Sequence, residues 1–212
     1  MYSFPQYKEH DHALIVQFMK DHPFVTMVAV DRNGRIEATH IPVLVDERDG
    51  KVFLTGHVAK KLSHEKALAE NPDALIIFTG PHIYVTGTWY TGNLQTASTW
   101  NYISVHARGK INWMNEEELI SLLKRLSLHF ENYNTSSTTI YDNLPHSYLD
   151  KLVKAIVGFE MEVTELENVF KLSQDRDEKS YDNIVQQLKK QDGDGKILGE
   201  LMERRKGKVF PG

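Results

Sequence analysis

Short apolar-rich segments bounded by turn residues recur through the first 113 positions, the pattern of strands. Three such segments come first: "FVTMVAV" from residue 24, "IEATHIPVLV" from 36 and "KVFLTGHV" from 51. The intervening "DRNG" and "DERDG" carry hairpin-turn chemistry. "DALIIFTG" and "PHIYVTGTWY" follow as two further segments, separated by the punctuation of Gly80-Pro81. "TGNLQTAS", residues 91 to 98, reads as a polar loop into the next strand.

That strand begins "STWNYISVHARG" at residue 98 and continues to about Trp113. One face carries Asn101, Ile103, Val105, Ala107 and Gly109, small and mostly apolar, as a core-facing row should be. The other carries Trp100, Tyr102, Ser104, His106 and Arg108. The second row has too much aromatic area to leave in water and too many polar ends for an ordinary core. It calls for a partner.

Helical spacing is confined to a few stretches. Asp11 is a candidate N-cap for a helix over 11–21, with Leu14, Ile15 and Phe18 on one face and Pro23 beyond its end. A second helix runs from Lys61 to Glu70 and stops at Asn71-Pro72. Asn115 and Glu118 have capping-box spacing for a third, reaching about Glu131 and burying Leu119, Leu122, Leu123 and Leu126. After the polar "NYNTSSTT", a short helix from Ser147 leads into a last β segment, "VGFEMEVTELENVFKLS". From Asp177 the pattern becomes two small charged helices split by "QDGDG". Six or seven strands with helices inserted singly indicate a mainly β, α+β architecture: an antiparallel barrel with peripheral helices, not a parallel sheet. Residues 1–175 form the expected barrel domain and 176–212 a charged helical extension.

Composition narrows the function classes. A chain of 212 residues with 41% hydrophobic and 25% charged content can bury a full core. Its formal net charge of -4 disfavours a surface that coats nucleic acid. The lack of cysteine removes thiolate and disulfide chemistry and suits the cytoplasm. No apolar run approaches the roughly 20 residues that span a bilayer, and "MYSFPQYKEHDH" lacks the basic-then-apolar pattern of a leader.

The ten histidines form no metal-binding spacing, and no G-x-S-x-G, Walker A or G-x-G-x-x-G motif is present. No metal site and no catalytic residue are assigned. Two stretches retain chemical interest. In "LTGHVAKKLSHEKA", Thr55, Gly56 and His57 end a strand, and Lys60 and Lys61 stand at the start of a helix. Cations there oppose the helix dipole, so the pair is either a solvated helix start or an anion grip. In "ATHIPVLV", Pro42 cannot donate to a ladder and belongs at an edge or bulge. Its neighbours Thr39, His40 and Ile41 then either meet a ligand or line a blunted edge.

Six blocks, "THIPVLV", "LTGHVA", "FTGPHIYVTGTWY", "TWNYISVHARG", "AIVGFEMEV" and "FKLSQDRDEKS", occur in an order and spacing that closely resembles one family. It is the PaiB-type FMN-binding family, described as negative transcriptional regulators. The likeness covers nearly the whole chain to about residue 190. It implies a split β-barrel of the pyridoxamine-phosphate-oxidase type, forming a homodimer with FMN at the subunit interface. The implied cofactor-binding residues are Thr39, His40, Ile41, Pro42, Thr55, Gly56, His57, Lys60, Lys61, Trp100, Asn101 and Tyr102. Trp100 and Tyr102 would wall the ring, Asn101 would offer an amide if the strand bends, and the lysines would hold the phosphate. The chain departs from the family pattern after Lys60, with "KLSHEK", and before Thr99, with Ala97-Ser98.

Three functions are compatible with this reading. One is a flavoprotein that passes hydride or electrons, hence an FMN-dependent oxidoreductase. Another is a transcriptional regulator, for which the basic cluster Arg204, Arg205, Lys206 and Lys208 is the DNA-binding candidate, against the alternative of a solvated tail. The third is haem binding through His40, His57 or His106.

Overall fold

The computed structural model describes residues 1, 2, 4–91 and 97–211, so the centre of the expected polar loop at 91–98 lies outside the described residues. Six strands form: β1 (Phe24–Val30), β2 (Ile36–Arg48), β3 (Lys51–Ala59), β4 (Asp73–Val85), β5 (Thr99–Trp113) and β6 (Ile156–Lys171). They close into a barrel in the order β1-β2-β3-β6-β5-β4. The β1–β2, β1–β4, β2–β3 and β3–β6 pairs are antiparallel. Among the described residues six α-helices are present: α1 (His12–Asp21), α2 (Ser63–Glu70), α3 (Glu116–Phe130), α4 (His146–Ala155), α5 (Glu178–Leu188) and α6 (Asp194–Val209). The mainly β architecture with peripheral helices is the one the alternation implies.

Local chemistry sets the helix ends. Asp11 Oδ1 accepts the amides of Ala13 and Leu14 at 3.0 and 3.3 Å. At α3, Asn115 Oδ1 accepts the Glu118 amide at 3.0 Å while Glu118 Oε2 accepts the Asn115 amide at 2.8 Å, a complete capping box. Its leucines at 119, 122, 123 and 126 are buried as their spacing requires. Asp177 caps α5 through the Ser180 amide and hydroxyl at 2.9 and 2.7 Å.

Two proline readings change. Pro42 is not on an edge strand. β2 pairs with β1 from Ile36 to Pro42 and with β3 from Val43 onward, so the proline stands where one ladder hands over to the next. Its missing N–H therefore costs little. Gly80-Pro81 does not divide two strands, because β4 runs unbroken through both. The pairing of β4 with β1 ends at Ile77, so that ladder makes no demand on Pro81.

The chain divides into two compact units: Met1–Phe18, Thr79–Val105 and Glu167–Gly212 in the first, Met19–Phe78 and His106–Leu166 in the second. In the first unit, α5 and α6 bury Tyr181, Ile184, Leu188, Leu198 and Met202, and the Tyr181 hydroxyl donates to the Met202 carbonyl at 2.8 Å. The N-terminal segment is tied to α6 through Glu9, whose side chain is fully buried. Arg205 Nη1 lies 2.6 Å and Lys208 Nζ 2.7 Å from its carboxylate. Lys206 pairs with Glu178 and Asp182. The basic cluster is thus part of a docked helix rather than a solvated tail.

In the second unit the inward rows of β1, β2 and β3 supply Val25, Met27, Val43, Val45, Val52 and Leu54 to the core, with Ile76, Phe159 and Met161. Helix α3 covers the outer side of this sheet: Leu122 and Leu126 cluster with Leu44, and Met114 packs against them.

Candidate functional site

Alternation along β5 is carried out in full. Asn101, Ile103, Val105, Ala107 and Gly109 are buried, and Trp100, Tyr102, Ser104, His106 and Arg108 are half-buried or exposed. Within the first unit, the outward row meets β4. Tyr84 packs edge-on to Trp100 at 5.9 Å between ring centroids, and His82 lies 6.3 Å from the same indole. Trp100 keeps 52% of its surface and Tyr84 50%. Two large rings on the neighbouring strands β4 and β5 thus stand half in water. Tyr102 lies beside them in the row, its hydroxyl pKa raised by burial and, less, by Tyr2.

Tyr84 and His82 were not legible as site residues in the sequence. Both lie at alternate positions of "PHIYV", and the supposed break at Gly80-Pro81 concealed that they extend the same strand.

Asn101 belongs to the other row. It is fully buried, its Oδ1 accepts the Ser173 hydroxyl at 3.0 Å, and its Nδ2 lies 3.5 Å from Met202 Sδ. The bend that would bring its amide outward does not occur, because this buried carboxamide already has partners within the core.

The remaining candidates lie in the second unit. His40 is exposed and stacks on Phe24 at 6.2 Å. Pro42 is half-buried and follows His40 on the outward row by alternation, whereas Thr39 and Ile41 fall on the opposite row. Gly56 is buried with little room for a side chain. A Cβ there would stand 2.9 Å from the Phe159 ring and 3.1 Å from the Pro42 carbonyl oxygen.

Thr55 and His57 flank Gly56. Thr55 is buried beside Leu44, and its hydroxyl has no partner among the described residues. It borders a cavity of about 360 Å³ whose walls include Arg48, Trp113, Ser121, Arg125 and Glu160. The His57 Nδ1 is likewise buried without a partner, and burial pushes the imidazole pKa down. His57 is therefore neutral near pH 7.

Lys60 and Lys61 are exposed in the turn that precedes α2, three and two residues before its first helical position instead of inside it. Lys61 adopts φ 69°, and its amide donates to Glu65 Oε2 at 3.1 Å. The N-cap position, Leu62, offers no side-chain acceptor to the first amides of α2. The helix start thus has no side-chain cap, and the acidic Glu65 stands in its first turn.

Known proteins identify the family and the fold. The family described as "Putative FMN-binding domain" matches residues 1–165. The chain belongs to this family. A relative with 32% identity over 190 residues, covering 89% of this chain and 90% of its own, is "Protease synthase and sporulation protein PAI 2" of Bacillus subtilis strain 168. Among solved structures, a conserved hypothetical protein from Mycobacterium tuberculosis gives a TM-score of 0.55 at 13% identity, over 81% of this chain and 91% of that one. The FAD- and haem-binding protein from Mycobacterium smegmatis gives 0.52 at 17%, over 77% and 72%. At these identities the solved structures establish a shared fold. The fold is the split β-barrel, and the cofactor assigned by family is FMN.

Proposed function

We propose that this chain is a homodimeric FMN-binding protein whose flavin ring rests on the outward row of β5 and its β4 neighbours. The observation that carries this reading is the half-exposed pair Trp100 on β5 and Tyr84 on its neighbour β4, edge to face with each other. An isoalloxazine is flat and apolar with a polar edge, so aromatic side chains ringed by hydroxyl and imidazole groups suit it. Trp100, Tyr84 and Tyr102 provide the wall. Trp100 and Tyr102 put more aromatic area on this row than water favours, among polar ends that do not suit a core, which supports a second copy as its cover.

Within the second unit taken by itself, the candidates for holding a phosphate are Lys60 and Lys61 with the first amides of α2. FMN when bound supplies hydride or electron transfer, so the protein's part is binding and orientation. Transcriptional repression through the C-terminal basic residues is the less favoured reading. Arg205 and Lys208 are paired with Glu9, and Lys206 with Glu178 and Asp182, which leaves less charge for DNA phosphates.

Trp100→Ala tests the ring site. It should weaken FMN and riboflavin alike, by about tenfold or more. Unchanged binding of both would remove the ring from this row. A Soret band on addition of haemin, with no uptake of flavin, would replace FMN by haem.

A further inference from the structure

The block "KLSQ" at residues 171–174 is not accounted for by the binding reading, yet its side chains converge on the three residues that open β5. Lys171 is buried at the end of β6, with only 9% of its surface exposed. Its ammonium donates to the Thr99 hydroxyl and, at 2.9 Å, to the Trp100 carbonyl. Ser173 is 1% exposed and donates to Asn101 Oδ1 at 3.0 Å. Residues 171 and 173 thus hold residues 99, 100 and 101 in succession.

The holder is itself fixed. Gln174 accepts the Leu172 amide and donates to the Phe170 carbonyl, both at 2.6 Å, closing a tight loop. Ser173 sits at φ 59°, a left-handed conformation that a non-glycine residue keeps only when its surroundings over-determine it. Burying an ammonium is costly, and burial does push the Lys171 pKa down. A methionine would fill the same space without that cost, so the ammonium at this position points to a task that only a donor can perform.

We propose that Lys171 and Ser173 are positioning residues for the flavin wall: they lock the backbone at 99–101 so that the Trp100 indole is presented at a fixed angle on the outward row. This rests on the ring-site reading above and assigns its rigidity to residues that touch no flavin. Preorganising a wall removes the cost of ordering it at the moment of binding. The role is separate from that of Asn101, which turns inward and anchors the clamp.

The experiment uses the full chain with Trp89 and Trp113 replaced by phenylalanine, leaving Trp100 as the single tryptophan. In flavin-free protein, Lys171→Met should raise acrylamide quenching of Trp100 emission and lower its anisotropy, with secondary structure retained. Flavin titrations should show FMN and riboflavin weakened together, by about tenfold. A double-mutant cycle with Trp100→Ala separates positioning from general damage. If Lys171 acts through Trp100, Lys171→Met costs no further flavin affinity once the indole is gone.

Should Lys171→Met fail to fold, Ser173→Ala removes the second hold at lower risk and should give the same changes to a smaller extent. Unaltered quenching and anisotropy in the folded variants would overturn the proposal, as would additive losses in the cycle. If Trp100→Ala alone leaves flavin binding intact, the ring-site reading fails, and the clamp's role in binding fails with it even where Trp100 is loosened.

Discussion

The Pro42 carbonyl oxygen stands 3.1 Å from the point where a side chain at Gly56 would begin, with the Phe159 ring 2.9 Å from the same point. This close approach holds β2 against β3 just where β2 changes partner, and Thr55 and His57 flank it. Gly56→Ala forces a backbone carbonyl and an aromatic ring to give way, an overpacking change of about 1–3 kcal/mol. Thermal unfolding should show Tm lowered by several degrees, and FMN affinity should fall as Thr55 and His57 shift. An unaltered melting curve would mean that the strands separate freely at this point.

Glu9 gives a prediction with a defined sign. Burial alone would raise its pKa, but Lys208, the Asp11 amide and Arg205 together hold the carboxyl at about 2 instead of 4.5. A depressed carboxyl stabilises the folded state fully above about pH 4.5, and that stability is lost as pH falls toward about 2. The contribution is on the order of 2–3 kcal/mol, reduced by the exposure of Lys208. Denaturant titrations of Glu9→Gln should show lower stability at pH 7 and a flatter decline between pH 5 and about 2. Parallel acid profiles for both proteins would show that Glu9 makes no such contribution.

Tyr102 tests whether the outward row is shared with a second copy. Tyr102→Asp puts a charge where a ring is to be covered. Dimer and flavin should weaken together in light scattering and in flavin titration. Loss of flavin from an intact dimer would restrict Tyr102 to the pocket. A wild-type protein that scatters as a monomer at micromolar concentration would remove the dimer from the account.

Lys60 tests the phosphate end, since riboflavin is FMN without its phosphate. A charge-assisted hydrogen bond contributes about 1.5–3 kcal/mol, so Lys60→Ala should weaken FMN roughly ten- to a hundredfold. Riboflavin affinity should stay nearly the same, and FMN binding should become less sensitive to salt. Equal losses for both ligands would indicate damage to the fold, and no loss would move the phosphate elsewhere.

Much of the fold was legible because local rules and tertiary structure agree. Period-two alternation separated the buried and outward rows of β5 residue by residue, and the capping box located the start of α3. The prolines were misread because their cost depends on which neighbour needs their N–H, and that is settled by pairing. Pro42 sits at a change of partner, and Pro81 lies beyond the β1 ladder.

The C-terminal charges were misread for a related reason. The carboxylate that binds Lys208 lies 199 positions away in sequence. Local charge patterning does not reveal such a partner. Asn101 shows the same limit at the site. Its place on the inward row was legible, but its bond to Ser173 depends on how β6 ends.

Titration of FMN into the purified full-length protein, read by flavin absorption and by Trp100 emission in the single-tryptophan variant, tests the central claim most directly. The expected result is saturable binding of one FMN per chain with matching quenching of Trp100, both weakened by Trp100→Ala or Lys171→Met. Absence of FMN binding, or full-affinity binding that leaves Trp100 emission untouched, would contradict it.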